Sequence, residues 1–312
     1  MTRRLVHALR MSARELVILG TSSQVPTRHR AHHSAFLAWD DLGVLFDPGE
    51  GTQRQLILAG ISPTRITHVC ITHFHGDHCL GLAGISQRLS LDRVKHPVHV
   101  LFPASGAVYY ERLTNASIYV PGATLVPVPI SAEGVALQDS RLRFVTARLE
   151  HGVECFGYRL EEPDSRTMLP DRLAAAGVQG PDVGRLQREG RIQVGAATVT
   201  VEDMSVPRPG QRFAFVMDTR PCDGARALLS GADMAVVEST FLDDEAELAR
   251  EYLHMTVGEA STLAREAGVR RLVLTHFSQR YTSLDAFRSA ASAIHPDAHV
   301  AEDLRRIAVP GR

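Results

Sequence analysis

The stretch Thr72-His-Phe-His-Gly-Asp-His78 places three imidazoles and one carboxylate within six positions. It overlaps the end of the apolar run His68-Val-Cys-Ile-Thr72, which is typical of a buried strand. Imidazole and carboxylate groups suit zinc and other first-row divalent ions. Four potential ligands also exceed the three protein ligands of a catalytic zinc that keeps one position open. The stretch therefore predicts a metal centre, and a pair of metal ions is plausible.

Other aspartates and histidines come at the ends of apolar runs, and they are Asp47, His151, Asp218 and His276. Each one alone is explained about as well by a polar turn after a strand. Their shared placement instead predicts that they join the histidine cluster. Asp47 would then orient a ligand histidine, and Asp218 would bridge two metals.

The elements that position these side chains alternate along the chain. Strands are predicted at Glu15–Gly20, Ser34–Trp39, Val44–Asp47, His68–Thr72, Val98–Phe102, Leu142–Leu149, Cys155–Leu160, Phe213–Met217, Met234–Glu238 and Arg271–Thr275. Helices are predicted at Thr52–Ala59, His78–Ser90, Asp223–Ser230, Thr256–Ala267 and Leu284–Ile294. Strands in both halves with helices between them predict an α/β fold of two packed sheets with helices outside.

One segment, at about residues 161–196, breaks this alternation. Prolines and glycines interrupt it, and only two short helical stretches are expected. It is too long for a simple connection, so it is either an inserted arm or a disordered loop. Its arginines favour the arm.

Composition limits the class of protein. The 312 residues contain 34 Lys plus Arg and 35 Asp plus Glu, a net charge of -1, which argues against coating nucleic acid by bulk charge. No apolar run approaches the ~20 residues of a membrane-spanning helix, so an integral membrane protein is not expected. The four cysteines are scattered without a C-x-x-C pair, which favours a reducing compartment such as the cytoplasm. Residues 1–14 are expected to form a disordered basic leader, and Met11 is an alternative start.

Thr72–His78 resembles the signature of the metallo-β-lactamase superfamily, whose fold is an αββα four-layer sandwich with metals at one rim. Further stretches resemble the ribonuclease Z family of tRNA 3′-processing endonucleases: Phe46-Asp-Pro-Gly-Glu-Gly-Thr-Gln-Arg-Gln-Leu56, Phe156-Gly-Tyr-Arg159, Met217-Asp-Thr-Arg220 and Thr275-His-Phe-Ser-Gln-Arg-Tyr281. The resemblance covers residues from about 15 to 282. It implies that residues 15–312 form one nuclease domain of this fold, with an inserted flexible arm at about 161–196.

The resemblance also implies a ligand set for two zinc ions per subunit, with other divalent ions such as manganese as alternatives. One zinc would take His73, His75 and His151. The other would take Asp77, His78 and His276, and Asp218 would bridge them. Asp77 would additionally accept a proton from the attacking water.

The stretch Val237-Glu-Ser-Thr-Phe241 resembles the family's H-E-A-T-F motif, with valine and serine at two of its positions. His254-Met-Thr256 resembles the partner motif. Glu238 would orient His254, which would protonate the leaving oxygen. The alternative is a purely structural role, in which Glu238 is a carboxylate at a strand end and His254 is a histidine at a helix start.

Gly180-Pro181 resembles the glycine-proline stretch of the family's arm, so Arg185, Arg188 and Arg191 would contact RNA. The function implied is cleavage of the 3′ trailer from precursor tRNA, leaving a 3′-hydroxyl on the tRNA and a 5′-phosphate on the trailer, by a homodimer. One alternative is a small-molecule phosphodiesterase or other hydrolase of the same superfamily. Another is a non-enzymatic RNA-binding or metal-storage module.

Overall fold

The computed structural model describes residues 14–311. The predicted leader lies outside these residues except for Arg14, whose guanidinium group lies over the ring of Trp39 at 4.3 Å from its centre. By spatial grouping the chain forms two compact units. The first contains the residues up to Asp139, Arg143–Leu160 and the residues from Arg212 onward, and the second contains Ser140–Leu142 and Glu161–Gln211.

The strands are β1 Glu15–Gly20, β2 Ser34–Trp39, β3 Leu42–Phe46, β4 His68–Cys70, β5 Val98–Pro103, β6 Leu125–Ile130, β7 Gly134–Gln138, β8 Arg143–Leu149, β9 Cys155–Glu161, β10 Ser165–Met168, β11 Arg191–Val194, β12 Ala197–Thr200, β13 Ser205–Arg208, β14 Arg212–Val216, β15 Met234–Glu238, β16 Arg271–Thr275, β17 Ala298–Val300 and β18 Arg306–Ala308. The helices are α1 Thr52–Leu58, α2 Gly76–Cys79, α3 Leu82–Leu91, α4 Ala107–Thr114, α5 Pro170–Ala175, α6 Pro181–Glu189, α7 Asp223–Leu229, α8 Ala246–Tyr252, α9 Val257–Glu266 and α10 Asp285–Ile294.

Two seven-stranded sheets form the centre of the first unit. One has the order β18-β1-β2-β3-β4-β5-β6, and the other has the order β17-β16-β15-β14-β9-β8-β7. Strands β3 to β6 pair in parallel, as do β14 to β17. The carboxyl ends of parallel neighbours meet at one edge of a sheet, which is where polar side chains can gather.

Aromatic residues fill the space between the two sheets. Phe46 of the first sheet stacks on Phe215 of the second with ring centres 4.4 Å apart, and both side chains are fully buried. The hydroxyl group of Tyr158 donates to the carbonyl oxygen of Ile71 at 2.6 Å, which ties the sheets together by a hydrogen bond as well. Face-to-face sheets normally bury their inner faces in this way.

Helices cover the outer face of each sheet. Leu56 of α1 and Leu89 of α3 belong to the apolar cluster that covers the first sheet. Helices α7 and α9 lie against β14, β15 and β16 of the second sheet. The predicted four-layer αββα arrangement is confirmed.

The helix predicted from His78 to about Ser90 is divided into α2 and α3. Gly81 lies between them, and a Cβ atom there would lie 2.2 Å from the carbonyl oxygen of Gly49. This close approach requires a glycine at position 81, and the helix is interrupted there. Helix α2 is therefore short, and it carries Asp77 and His78 beside the strand ends.

The second unit has a small core of its own. β10 pairs with β13, and β11 pairs with β12, both antiparallel. Its buried apolar side chains are Leu173, Val178, Leu186, Ile192, Val199 and Val201. The segment predicted at about 161–196 lies within this unit, which continues to Gln211. Among residues 14–311, none of the helices has the length and apolar character needed to cross a bilayer.

Candidate metal centre

Strand ends carry most of the predicted site residues. Asp47 directly follows β3, His276 directly follows β16, and Asp218 comes two positions after β14. These three residues have positive φ angles of 41°, 63° and 43°, respectively. Such backbone conformations are costly for residues other than glycine and are concentrated at functional sites. Here they turn each polar side chain out of the strand direction at the same edge.

One group of potential ligands consists of His73, His75, His151 and Asp218. Nδ1 of His75 lies 2.9 Å from Nε2 of His73 and 3.3 Å from Nε2 of His151. Oδ2 of Asp218 lies 3.6 Å from Nε2 of His73 and 3.8 Å from Nε2 of His151. The ligand atoms of this group all lie within 4.8 Å of one another.

A second group consists of Asp77, His78 and His276. Nε2 of His78 lies 3.3 Å from Oδ2 of Asp77 and 3.3 Å from Oδ2 of Asp218. Nε2 of His276 lies 3.5 Å from Oδ2 of Asp77 and 3.2 Å from Oδ1 of Asp218. Asp218 is therefore shared by both groups. The fold brings together every residue that the sequence predicted as a metal ligand.

The ligand atoms fit a divalent cation chemically. Nδ1 of His78 faces Oδ2 of Asp47 at 2.9 Å, which favours a proton on this ring nitrogen and turns Nε2 toward the cluster. Oδ1 of Asp218 is buried and has no hydrogen-bond partner among the described residues. Buried lone pairs and carboxylates without donors are unfavourable, and a bound cation removes that cost. Nitrogen and carboxylate oxygen donors in this number are the set that zinc and related ions prefer.

Asp47 lies under this cluster with no exposed surface. Oδ1 accepts the backbone N–H of Thr72 at 2.7 Å, and Oδ2 accepts the hydroxyl of Thr72 at 2.8 Å. Burial raises the pKa of Asp47, and the charge and hydrogen bond of His78 oppose that rise. The carboxylate thus contacts His78, a predicted metal ligand, directly.

A glycine lets the loop after Asp47 approach α2. A Cβ atom at Gly49 would lie 2.2 Å from the carbonyl oxygen of Asp77. The N–H of Gly81 donates to the carbonyl of Pro48 at 2.8 Å, which holds the same contact from the other side. The Asp47-Pro-Gly49 sequence therefore fixes where Asp77 stands.

Glu238 and His254 form a hydrogen-bonded pair beside the cluster. Oε1 of the fully buried Glu238 accepts from Nδ1 of His254 at 2.9 Å and from the N–H of Thr219 at 2.7 Å. Oε2 accepts the hydroxyl of Thr240 at 2.6 Å and the N–H of Met255 at 3.2 Å. Burial acts to lower the pKa of His254, but the Glu238 carboxylate outweighs it and raises that pKa to about 9.

A cleft of about 760 Å³ opens above the cluster. Asp77, His151, Asp218 and His254 line it, together with other residues that include Arg280. Its size and its mixture of polar and apolar walls suit a bound substrate. Arg280 pairs with the carboxylate of Glu245. Its guanidinium group lies over the ring of Phe241, 5.1 Å from the ring centre.

Sequence reasoning missed some residues of the site. Thr72 and Thr240 contact ligand histidines, and Arg280 lines the cleft, yet no role was predicted for them. Arg280 belongs to the Thr275–Tyr281 stretch, which was the available signal. The signal for the threonines was weaker: Thr72 precedes His73, and Thr240 lies two positions after Glu238.

The three arginines predicted to contact RNA belong to the second unit. Arg185 and Arg188 are exposed on α6, and Arg191 is exposed at the start of β11. Arg185 pairs with Asp182 at 3.3 Å. They are not part of the ligand groups.

The sequence of this chain is similar to those of known proteins. Residues 29–167 match the metallo-beta-lactamase superfamily model, and residues 181–277 match a beta-lactamase superfamily domain model. The chain is 55% identical to ribonuclease Z of Streptomyces avermitilis over 304 residues, covering 97% of this chain and 100% of that protein. The chain belongs to the ribonuclease Z family. The ribonuclease Z of Chlamydia pneumoniae is 44% identical, over 96% of this chain and 98% of the relative.

Solved structures share the fold. The crystal structure of the short form of human tRNase Z matches with a TM-score of 0.69 and 24% identity, covering 95% of this chain and 100% of that one. A diphosphatase of the PhnP family matches with a TM-score of 0.61 and 16% identity, covering 94% and 97%. This chain therefore has the metallo-β-lactamase fold.

Proposed function

We propose that this protein is a metal-dependent endoribonuclease that removes the 3′ trailer from precursor tRNA. It leaves a 3′-hydroxyl on the tRNA and a 5′-phosphate on the trailer. The observation that carries the proposal is the 55% sequence identity to a ribonuclease Z over 97% of this chain. In addition, possible metal donors and the hydrogen-bonded pair Glu238 and His254 lie close together at one cleft, which supports the proposal.

Two zinc ions fit the donor set best. His73, His75 and His151 would hold one, Asp77, His78 and His276 would hold the other, and Asp218 would contact both. When bound, such ions stabilise charge on phosphate oxygens and lower the pKa of a water molecule. Manganese is an alternative occupant because it accepts the same nitrogen and oxygen donors.

His254 would supply the proton that the leaving 3′ oxygen needs. Its Nδ1 is held by Glu238 at 2.9 Å, so Nε2 is the ring nitrogen left to give a proton in the cleft. Glu238 favours the protonated imidazole before cleavage and fixes the orientation of the ring. Asp77 would accept a proton from the attacking water at a carboxylate oxygen, in addition to holding its metal.

The second unit would act as the arm that contacts tRNA. Folded RNA is recognised mainly through its shape and its phosphates, and exposed arginines suit phosphate contacts. Arg185, Arg188 and Arg191 supply three such side chains in the second unit.

A homodimer is part of the proposal. α3, α4 and the loop after α4 carry exposed apolar side chains, including Leu91 at 77% and Val120 at 86% exposure. Gln87 of α3 donates to Ser117 of the loop at 2.7 Å, so α3 and this loop lie next to each other. Apolar surface of this kind supports burial against a second copy.

The four cysteines are free and buried, which supports the proposed location in a reducing cytoplasm.

The test is cleavage of a 3′-extended precursor tRNA transcript by the zinc-loaded protein. We expect one cut at the 3′ side of the acceptor stem, with a 5′-phosphate on the trailer. The variants His73→Ala and Asp77→Ala should be inactive while still folded. Hydrolysis of a chromogenic phosphodiester without cleavage of the transcript would overturn the proposal in favour of a small-molecule phosphodiesterase.

A further inference from the structure

Two threonines occupy equivalent places beside the metal cluster. The hydroxyl of Thr72 donates to Oδ2 of Asp47 at 2.8 Å and lies 3.0 Å from Nδ1 of His73. The hydroxyl of Thr240 donates to Oε2 of Glu238 at 2.6 Å and lies 3.1 Å from Nδ1 of His276. Both threonines are buried, with 0% and 2% exposure.

Hydrogen-bond chemistry fixes the direction of each chain. A carboxylate only accepts, so each hydroxyl hydrogen points to its carboxylate. The hydroxyl oxygen must then accept from the imidazole, which places the proton of the imidazole on Nδ1. The lone pair on Nε2 is left facing the cluster, where Nε2 of His73 and Nε2 of His276 lie.

Each carboxylate therefore orients two histidines by different routes. Asp47 contacts His78 directly and reaches His73 through Thr72. Glu238 makes the same two kinds of contact with two other histidines. It holds His254 directly and reaches His276 through Thr240.

We infer that Thr72 and Thr240 are paired positioning residues, one for each metal position. Thr72 sets the tautomer and ring orientation of His73 in the first ligand group. Thr240 does so for His276 in the second. The inference rests on the proposed metal-dependent function and assigns these hydroxyls a role in metal affinity.

The test uses Thr72→Val and Thr240→Val, because valine has nearly the shape of threonine but lacks the hydroxyl. Zinc affinity is measured at both sites by competition with a chromophoric chelator. Groups that orient a metal ligand typically change affinity by about 10–100-fold when removed. We therefore expect each variant to weaken one of the two zinc sites by roughly tenfold or more, and the double variant to weaken both.

Controls separate this role from a structural one. Thr72→Ser and Thr240→Ser keep the hydroxyl and should restore affinity. Thr114→Val removes another buried hydroxyl, which bonds only to groups of α4 and its end, and should leave zinc affinity unchanged. Affinities within twofold of the wild type in both valine variants would overturn the inference.

A second measurement needs no variant. Long-range proton–nitrogen NMR spectra of the zinc-loaded wild type report which ring nitrogen carries the proton. The inference requires the Nδ1–H form for His73 and His276, and the Nε2–H form at either residue would contradict it. These readouts involve no RNA. Failure of the protein to cut precursor tRNA would therefore refute the proposed function and leave the role of the threonines standing.

Discussion

Nε2 of His78 lies 3.1 Å from Nε2 of His276, although the two residues are 198 positions apart in the chain. Nδ1 of His78 faces Asp47 and Nδ1 of His276 faces Thr240, so both Nε2 atoms are turned toward the cluster. Carboxylate oxygens of Asp77 and Asp218 lie 3.2–3.5 Å from the same two atoms, so a divalent cation here would meet nitrogen and oxygen donors together. We therefore expect metal binding to stabilise the folded chain.

Removal of the metal should lower thermal stability. A ligand that binds only the folded state adds about 2.7 kcal/mol at a hundred times its dissociation constant. For a chain of 312 residues that corresponds to a rise of roughly 4 °C in Tm for each ion bound. Calorimetry with zinc and with chelator measures the shift. His276→Ala should reduce it, and the exposed-site control His29→Gln should not; equal Tm values with zinc and with chelator would argue against the site.

Replacement of His254 by glutamine should slow cleavage of precursor tRNA by about 10²–10⁴-fold, the usual contribution of a general acid. A diester with a p-nitrophenolate leaving group needs no protonation, so its hydrolysis should fall far less. Metal content should stay at the wild-type level. Single-turnover rates on both substrates measure the difference, and equal losses on the two would exclude a role as proton donor.

Neutralising the three exposed arginines of the second unit should weaken RNA binding without changing the chemistry. The variant is Arg185→Gln, Arg188→Gln and Arg191→Gln together. Each lost phosphate contact reduces the slope of log affinity against log salt by roughly 0.7–0.9. Filter binding of precursor tRNA at several salt concentrations measures this slope.

The control for the arginine variant is Arg288→Gln on α10, which removes a partly exposed, ion-paired arginine. It should leave the slope unchanged. Hydrolysis of a small diester should stay the same in both variants. An unaltered salt slope in the triple variant would contradict the assignment of the second unit as the RNA-contacting arm.

His68 should make the protein less stable in mild acid. It is buried against Phe144, with ring centres 4.7 Å apart, and burial lowers its pKa from 6.5 to about 4. Between these values the unfolded chain binds more protons than the folded one, so stability falls as pH falls from about 6.5 to 4. The shift corresponds to at most roughly 3 kcal/mol.

Urea unfolding of the metal-free protein at pH 7.5 and pH 5 tests this effect. His68→Phe keeps an aromatic ring in the stack and cannot be protonated, so its stability should fall less between the two pH values. The control His29→Gln changes an exposed histidine and should behave like the wild type. A loss in His68→Phe as large as in the wild type would show that another group causes the acid sensitivity.

Several elements could be predicted from local sequence because their signals are local. The alternation of apolar runs and turns predicted β15 and β16 with the observed bounds. The short edge strands β17 and β18 were missed, since three residues carry too little pattern to detect. The division between α2 and α3 was also missed. It depends on the approach of Gly81 to Gly49, which is a contact between distant parts of the chain.

The sequence by itself determined the chemistry of this protein. The types of the ligand residues, their position after apolar runs and the four-layer fold all follow from local order and from family resemblance. Only the tertiary structure decided how the ligands are held. Thr72 and Thr240 act through hydrogen bonds to carboxylates and ring nitrogens whose partners are chosen by packing of the strand ends. Hydrogen-bond geometry depends on distances of tenths of an ångström, and no spacing along the chain encodes them.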